Sequence, residues 1–270
     1  MTVPAALEEA ATAVLWEHGT MGIEVRPAGA HEVTLLAYFP EDSVLQATLT
    51  AALAPLPAAR LQPAEVPDVD WVARYREGFR SFSVAGFRVV PPWERQDGEA
   101  DADLLVVDPG RAFGTGTHES TRLCLGFLRD LAGRGPLGRV LDLGTGSGIL
   151  AVAAVRLGAR AVTAVDLDPE ALLAARHHAR LNRAGLRLVR GDLAAALRPS
   201  SFDLILANIA VPLLVERGDE IAALTAPTIV LSGLLVSDLD AVRRTYATLG
   251  RPEVRTDGEW AAVLIQRDAA

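Results

Sequence analysis

The stretch VLDLGTGSGI, residues 140–149, puts a short apolar run directly before three glycines in alternate positions. This order predicts a buried strand, a glycine-rich turn and a helix that begins at Ile149. Glycines allow a ligand to approach the backbone, and the first turn of a helix offers free N–H groups. A tight turn without a ligand is the alternative interpretation. Three glycines at this spacing favour a ligand site that includes Gly144 and Gly146.

Short apolar strands alternate with helices on both sides of this stretch, from about Val84 to the end of the chain. Strands are predicted over 104–108, 139–143, 161–165, 186–189, 203–206 and 229–231, with a closing pair over 254–256 and 261–266. Helices are predicted over 119–131, 149–157, 169–182, 211–224 and 237–249. Such alternation is typical of an α/β fold, a doubly wound parallel sheet with helices on both faces.

The beginning of the chain has a different pattern and predicts a separate, small α+β domain over residues 1–55. A helix is expected over 5–18, strands over 23–26 and 31–39, and a second helix that opens at Glu41 and ends before Pro55. A further strand is expected over 60–66.

Residues 56–83 are rich in proline, which favours an extended linker between two domains. A short helix is expected inside this linker, because Trp71, Tyr75 and Phe79 follow each other at a spacing of four residues. The division of the chain is therefore expected to be 1–55, 56–83 and 84–270.

Composition excludes several classes of protein. All 26 basic residues are arginine, so neither a lysine Schiff base nor a phosphate-loop lysine is possible, and the net charge of −8 disfavours direct binding to nucleic acid. The single cysteine, Cys124, excludes an internal disulfide and a thiolate zinc cluster, and the histidines give no metal-ligand spacing. The longest apolar run has 12 residues, too few for a membrane span. We expect a cytoplasmic protein without a metal and without a membrane anchor.

A carboxylate follows the next predicted strand, because Asp166 ends the strand over 161–165 and lies 20 residues after Gly146. Such a carboxylate can accept two hydrogen bonds from a ribose diol. Nicotinamide cofactors and S-adenosyl-L-methionine both carry this diol, so Asp166 predicts nucleoside binding without choosing between them. Asp168 precedes Pro169 and is expected to cap the following helix.

A long glycine-rich loop, DPGRAFGTGTHEST, occupies residues 108–121 before a predicted helix. Its glycines permit movement, and Phe113 next to Gly114 supplies an apolar cover, as a lid over a cofactor requires. An ordinary surface loop is the alternative. His118 is the histidine nearest to the candidate site and is expected to have a structural role.

The pattern Asp-x-Gly-x-Gly-x-Gly at 142–148 resembles motif I of the class I S-adenosylmethionine-dependent methyltransferases. That resemblance implies that Asp192, after the strand over 186–189, accepts a hydrogen bond from the adenine edge; a turn aspartate is the alternative. It also implies that Asn208, after the strand over 203–206, holds an amine with its carbonyl oxygen. Enzymes of this class that methylate amino nitrogens often carry Asn-Pro-Pro-aromatic there, and only the asparagine is present.

Five segments in this order are similar to the ribosomal protein methyltransferase family that modifies large-subunit protein eleven. They are DPGRAFGTGTHESTRLCL, VLDLGTGSGILAVAAVRLGA, AVDLDP, FDLILANI and LSGLL. The resemblance implies a ferredoxin-like recognition domain, a linker helix and a class I methyltransferase domain with a Rossmann-like sheet. It implies trimethylation of α-amino and ε-amino groups of that ribosomal protein, free or on the ribosome. The implied contacts to S-adenosyl-L-methionine are Thr121, Gly144, Asp166 and Asn208.

Three rival functions stay open at this point. An RNA methyltransferase acting on an exocyclic amine would use similar cofactor residues, although the acidic composition disfavours it. A nicotinamide dehydrogenase is disfavoured because Ile149 stands where its third glycine is expected. A non-catalytic module that senses the cofactor is disfavoured by Asn208. The N-terminal domain also departs from the ferredoxin-like pattern, because its first strand must be very short or absent before the helix at Ala5.

Overall fold

The computed structural model describes most of the chain in two compact units, Met1–Val69 and Asp70–Ala270. The boundary between these units falls inside the segment 56–83 that the sequence assigns to a linker. The described residues are 1–20, 22–29, 31–39, 45–56, 59, 61–62, 76–96, 102–110, 114–193, 195, 197, 202–224 and 226–267. Most of the strand expected over 60–66, and Trp71 and Tyr75 of the expected linker helix, lie outside them.

The N-terminal unit is a three-stranded antiparallel sheet with two helices, in the strand order β1-β3-β2. Its elements are β1 (Thr2–Pro4), α1 (Glu8–Glu17), β2 (Gly22–Pro27), β3 (Glu32–Tyr38) and α2 (Leu45–Leu53). The first strand is present but has only three residues, and it pairs with β3 from Thr2 to Pro4. This succession provides the first five elements of the ferredoxin-like pattern. Leu15, Leu35 and Leu49 are buried in its core.

The first sheet of the second unit is a small three-stranded sheet that the sequence analysis did not predict as a whole. Its strands are β4 (Phe82–Val84), β5 (Phe87–Val90) and β6 (Leu104–Val106), in this order. Ala85 and Gly86 both have positive φ, +47° and +76°, and connect β4 to β5 as a two-residue hairpin turn. Residues 76–78 are helical and the strand β4 starts at Phe82, so regular structure is present within the segment that was assigned to the linker.

The second unit is dominated by a seven-stranded sheet with the order β12-β13-β11-β10-β7-β8-β9. Its strands are β7 (Arg139–Leu143), β8 (Ala161–Asp166), β9 (Arg187–Arg190), β10 (Leu204–Asn208), β11 (Thr228–Leu235), β12 (Pro252–Asp257) and β13 (Trp260–Gln266). Strands β7 to β11 run parallel, and β13 is antiparallel to both β11 and β12. The chain leaves β7 toward β8 and β9 on one side and later returns to β10 on the other. Ligands bind at such a switch point in open α/β sheets.

Helices cover both faces of this sheet, as the near-continuous apolar character of its strands requires. They are α3 (Glu119–Arg134), α4 (Ile149–Arg156), α5 (Pro169–Leu181), α6 (Val211–Glu216), α7 (Gly218–Ala223) and α8 (Leu239–Thr245). Val140 belongs to one buried cluster, whereas Leu141 and Leu143 belong to another, so β7 contributes side chains to two cores. The predicted α/β class with helices on both faces is confirmed.

The prediction of a single helix over 211–224 is wrong, because the chain forms two short helices that meet at Arg217. Tyr246 packs on this junction and donates a hydrogen bond from its hydroxyl to the Leu214 carbonyl over 2.9 Å. Gly218 comes so close to Thr245 that a Cβ atom there would collide with the threonine side chain. The helix is therefore interrupted by tertiary packing on the last residue of α8 and on the residue that follows it. No helix in the described part of the chain combines the length and apolarity that a bilayer crossing requires.

Candidate active site

The glycine turn after β7 forms the floor of the candidate site. Gly144, Gly146 and Gly148 all have left-handed backbone conformations, with φ of +67°, +54° and +81°. Residues with a Cβ atom rarely adopt this conformation. A Cβ atom on Gly148 would also lie 2.9 Å from the Cβ of Ala175 in α5. The turn therefore requires glycine both for its conformation and for its close packing on a helix.

Asp166, the last residue of β8, borders this turn. Its carboxylate accepts hydrogen bonds from the backbone N–H of Gly146 over 2.9 Å and from that of Asp168 over 3.0 Å. These bonds hold the carboxylate at the edge of the turn, where a half-buried acceptor can meet a diol. Asp168 caps α5 through Glu170, as predicted.

Asp142 is a buried carboxyl group for which the sequence analysis proposed no role. It is 1% exposed, and Thr145 donates a hydrogen bond from its hydroxyl to Oδ2 over 2.6 Å. Burial raises the pKa of Asp142 to about 6, while the hydrogen bonds from Thr145 and from the Ala151 backbone partly oppose this shift. The negative charge of Asp166 adds to the increase in the pKa of Asp142. The floor of the site therefore holds a carboxyl group that titrates close to neutral pH.

Asn208 ends β10, the strand beside β7, so it lies at the same edge of the sheet as the glycine turn. Its side-chain Nδ2 donates a hydrogen bond to Thr121 Oγ1 over 3.3 Å. Its Oδ1 atom is buried and has no hydrogen-bond partner among the described residues. A buried acceptor without a partner costs about 1–3 kcal/mol. This oxygen is therefore available to a donor other than those that the described residues supply.

The loop before α3 contacts the turn from the other side. Ser147 donates a hydrogen bond from its hydroxyl to the carbonyl of Gly114, and Gly114 has a φ of +94°. Gly116 packs against Ile149, the first residue of α4. Phe113, the expected apolar cover, lies outside the described residues.

Two further side chains have mainly structural contacts. Asp192 forms an ion pair with Arg217 over 3.1 Å, and about half of its side chain is exposed. His118 caps α3 through the Ser120 N–H and packs its ring edge-on against Trp260, with 4.4 Å between the ring centroids. The described residues hold no group of three side chains suited to bind a metal ion.

Three strand ends that are neighbours in the sheet thus bring together the glycine turn, Asp166 and Asn208, with Thr121 beside Asn208. The buried carboxyl of Asp142 and the hydroxyl of Ser147 were missed as functional candidates, although both lie inside the quoted glycine stretch. Their polar side chains within an otherwise apolar and glycine-rich segment were the available signal. Together the doubly wound sheet and this edge define a class I methyltransferase.

Comparisons with known proteins agree with this class and narrow it. The family model described as ribosomal protein L11 methyltransferase (PrmA) matches residues 2–268. The chain belongs to this family. The ribosomal protein L11 methyltransferase of Myxococcus xanthus is 33% identical over 98% of this chain and 96% of its own. That of Geobacter sulfurreducens is 40% identical over 80% of this chain and 71% of its own.

A solved structure supports the same assignment. The crystal structure of ribosomal protein L11 methylase from Lactobacillus delbrueckii subsp. bulgaricus superimposes with a TM-score of 0.63 and 30% sequence identity. The match covers 71% of this chain and the whole of that chain. The resemblance inferred from the five sequence segments is confirmed, and the protein is a methyltransferase.

Proposed function

We propose that this protein transfers methyl groups from S-adenosyl-L-methionine to amino groups of ribosomal protein L11. The observation that carries this proposal is the buried Oδ1 atom of Asn208, which has no partner among the described residues and lies at the edge of the sheet that holds the glycine turn. An amine N–H is a donor that can satisfy this oxygen. The relatives named above support the identity of the protein substrate.

The residues at this edge fit the cofactor. A glycine turn allows a ligand to approach the backbone closely, and Asp166 offers acceptors for the ribose hydroxyls. Gly114, Thr121, Gly144 and Gly146 complete the proposed cofactor contacts, with Phe113 as cover and Asp192 toward the adenine; Asn208 also borders the cofactor. When bound, the cofactor supplies a methyl group on a sulfonium, which is electrophilic.

The protein itself contributes position and a dry environment. Asn208 accepts a hydrogen bond from the amine through Oδ1, so that the nitrogen lone pair is free to face the methyl group. Orientation of two reactants can contribute roughly 7–11 kcal/mol to catalysis. Lysine has a pKa of about 10.4 in water, and desolvation lowers the pKa of an amine, so burial favours the neutral, reactive form. In this proposal the methylated nitrogen loses its proton to water.

The N-terminal unit is proposed to recognise the substrate. Residues 1–69 hold nine Asp and Glu against two Arg, whereas residues 70–270 hold 25 against 24. The negative charge of the chain is therefore concentrated in the N-terminal unit. Ribosomal proteins contact RNA and need basic surfaces to do so, which gives this acidic unit a complementary partner. The same substrate implies action in the cytoplasm.

Mass spectrometry of unmodified ribosomal protein L11, incubated with the purified protein and S-adenosyl-L-methionine, tests the proposal. We expect whole methyl increments at its α-amino and lysine ε-amino groups. Ribosomal RNA is offered in a parallel reaction with labelled cofactor. Label in RNA and none in protein would contradict the proposal and show that the protein is an RNA methyltransferase instead. Cofactor binding without transfer to either would favour a sensing module.

A chain that begins at Asp70, the first residue of the second unit, tests the role of the N-terminal unit. We expect it to bind the cofactor like the whole protein and to lose methyl transfer to intact L11. Full activity of the shortened chain would remove the recognition role from residues 1–69.

A further inference from the structure

His178, on α5, connects two parts of the site that are distant in sequence. It is 4% exposed, and its Nδ1 lies 2.7 Å from the carbonyl oxygen of Ser147 in the glycine turn. Its Nε2 lies 3.0 Å from the backbone nitrogen of Asp108, where the loop before α3 begins. Ala175, one turn earlier on the same helix, contacts Gly148. This face of α5 therefore lies directly against the glycine turn.

The hydrogen-bond partners determine the tautomer of His178. A carbonyl oxygen only accepts, so Nδ1 carries the hydrogen that is donated to Ser147. In the neutral ring Nε2 is then an acceptor, and it receives the N–H of Asp108. The carbonyl oxygen of Asp108 lies 3.1 Å from the same nitrogen and can accept a hydrogen bond from it only when the ring is protonated. Burial lowers the pKa of His178, which keeps the ring neutral near pH 7.

The charged and titratable groups that face His178 are His177 and the carboxylate of Asp108. That carboxylate forms ion pairs with Arg76 over 2.8 Å and with His177 over 3.0 Å. The side chain of Asp108 is thus held by other partners. The hydrogen bonds between His178 and Asp108 involve only the backbone of Asp108. They therefore fix the position of the main chain at Asp108 and do not depend on its side chain.

Ser147 binds the same loop a second time, because its hydroxyl donates to the Gly114 carbonyl. The loop is therefore attached to one residue of the glycine turn at two points: at Asp108 through His178, and at Gly114 directly. Residues between these two points include Phe113, the proposed cover of the cofactor. Gly114, one of the two points, is itself a proposed cofactor contact, so these bonds hold a described part of the proposed site in place.

We propose that His178 is a positioning residue for cofactor binding, because it fastens the loop over 108–118 to the glycine turn through Ser147. This role rests on the proposed use of S-adenosyl-L-methionine at the turn. His178 does not itself touch the cofactor. Its loss should weaken cofactor affinity and leave turnover at saturating cofactor largely unchanged.

Three substitutions separate the two hydrogen bonds. In His178→Asn the amide nitrogen takes the place of Nδ1 and can still donate to Ser147. In His178→Gln the amide oxygen takes the place of Nε2 and can still accept from Asp108. His178→Leu removes both bonds. We expect the dissociation constant for S-adenosyl-L-methionine, measured by calorimetry, to rise about ten- to a hundredfold in His178→Leu and less in the other two.

The matched control is His177→Gln, which alters the neighbouring histidine. His177 is half-exposed; its Nε2 lies 3.0 Å from the carboxylate of Asp108, and its ring lies beside that of His178 with 5.6 Å between the centroids. We expect its cofactor affinity to stay within about twofold of the parent. Thermal unfolding of each variant establishes that the protein is folded, and the Asn and Gln variants keep the test decisive if His178→Leu does not fold.

The pH profile distinguishes positioning from general support of the fold. Protonated Nε2 cannot accept the N–H of Asp108, so parent affinity should fall on acidification, at a pH below the usual imidazole range because burial lowers the pKa of His178. His178→Gln does not titrate and should lack this part of the decrease. Parent-like affinity and a parent-like pH profile in both His178→Leu and His178→Gln would overturn the role of His178. Absence of cofactor binding by the parent would overturn the proposed function itself.

Discussion

The side-chain nitrogen of Asn208 donates a hydrogen bond to the hydroxyl oxygen of Thr121, which joins the end of β10 to the first turn of α3. Thr121 is completely buried, so this bond forms away from water. This bond uses one N–H of the amide and fixes its plane, and the amide oxygen is the buried atom that has no partner among the described residues. The orientation of the asparagine is therefore set by a residue 87 positions earlier in the chain.

Replacing Thr121 by valine should lower turnover. Valine has a similar shape but no oxygen, so Asn208 loses the acceptor that fixes its amide. The loss of one neutral hydrogen bond, about 0.5–1.5 kcal/mol, corresponds to roughly a two- to tenfold slower methyl transfer. Thr121→Ser keeps the oxygen and should stay close to the parent. Equal rates for the valine and serine variants would mean that the hydroxyl of Thr121 does not orient Asn208.

Asp166→Ala should weaken binding of S-adenosyl-L-methionine about ten- to a hundredfold, because a charge-assisted hydrogen bond contributes about 1.5–3 kcal/mol. Calorimetry gives the affinity. Asp168→Ala is the matched control, since Asp168 caps α5 and binds Asp166 only through its backbone. That variant should lose about 1 kcal/mol of stability and keep its affinity. Unchanged affinity in Asp166→Ala together with weakened affinity in Asp168→Ala would mean that Asp166 does not bind the diol.

Gly148→Ala should destabilise the protein more than Gly158→Ala. Both glycines have a left-handed backbone, with φ of +81° and +83°, and alanine in that conformation costs about 1–2 kcal/mol. A Cβ atom at Gly148 would also meet the backbone of Ala175 at 3.0 Å, whereas nothing lies within 4 Å of one at Gly158. Urea unfolding measures both variants. Equal losses would mean that α5 can move away from the turn at little cost.

Asp142→Asn should stabilise the protein in a pH-dependent way. The pKa of Asp142 is about 6 in the folded protein against 3.8 for a free carboxyl, so folding favours its protonated form. The free energy of unfolding that this group contributes is present at low pH and is lost as the pH rises through about 6. Asparagine does not titrate. As the pH rises from roughly 4 to 7, the unfolding free energy of the variant should increase relative to that of the parent by up to about 3 kcal/mol.

Chemical denaturation of parent and variant at several pH values measures this difference directly. Other groups titrate in both proteins and cancel in the subtraction. A difference that stays constant with pH would mean that Asp142 is ionised as readily in the folded protein as in the unfolded chain.

Most of the larger unit was predictable because each strand is a short apolar run with a turn signal at its end. β7 was predicted with its observed limits, and the glycines after it indicated the turn. The hairpin of β4 and β5 was not predicted, because its strands have only three and four residues and are joined by Ala85, an unusual residue at positive φ. Periodicity cannot be recognised in segments of that length.

Tertiary contacts account for the other differences. Helix propensity continues through Arg217, and the interruption there depends on Tyr246 and Thr245, which are remote in sequence. Asp192 was expected to face a ligand, and its ion pair with Arg217 depends on that same interruption. The partners of His178, Ser147 and Asp108, are also far away along the chain. Local patterns predict which side chains reach the edge of the sheet but not which of them contact one another.

Single-turnover methyl transfer to purified ribosomal protein L11 tests the central claim most directly, with the parent, Asn208→Ala and Asn208→Asp compared and cofactor affinity measured in parallel. We expect the parent to transfer methyl groups and Asn208→Ala to bind the cofactor but react far more slowly, since orientation acts mainly in the transition state. Asn208→Asp adds a charge that favours the protonated amine, so its rate should be low at neutral pH and partly recover as the pH rises. Variants that bind the cofactor and react like the parent would contradict the role of Asn208, and a parent that binds the cofactor without methylating L11 would contradict the proposed function.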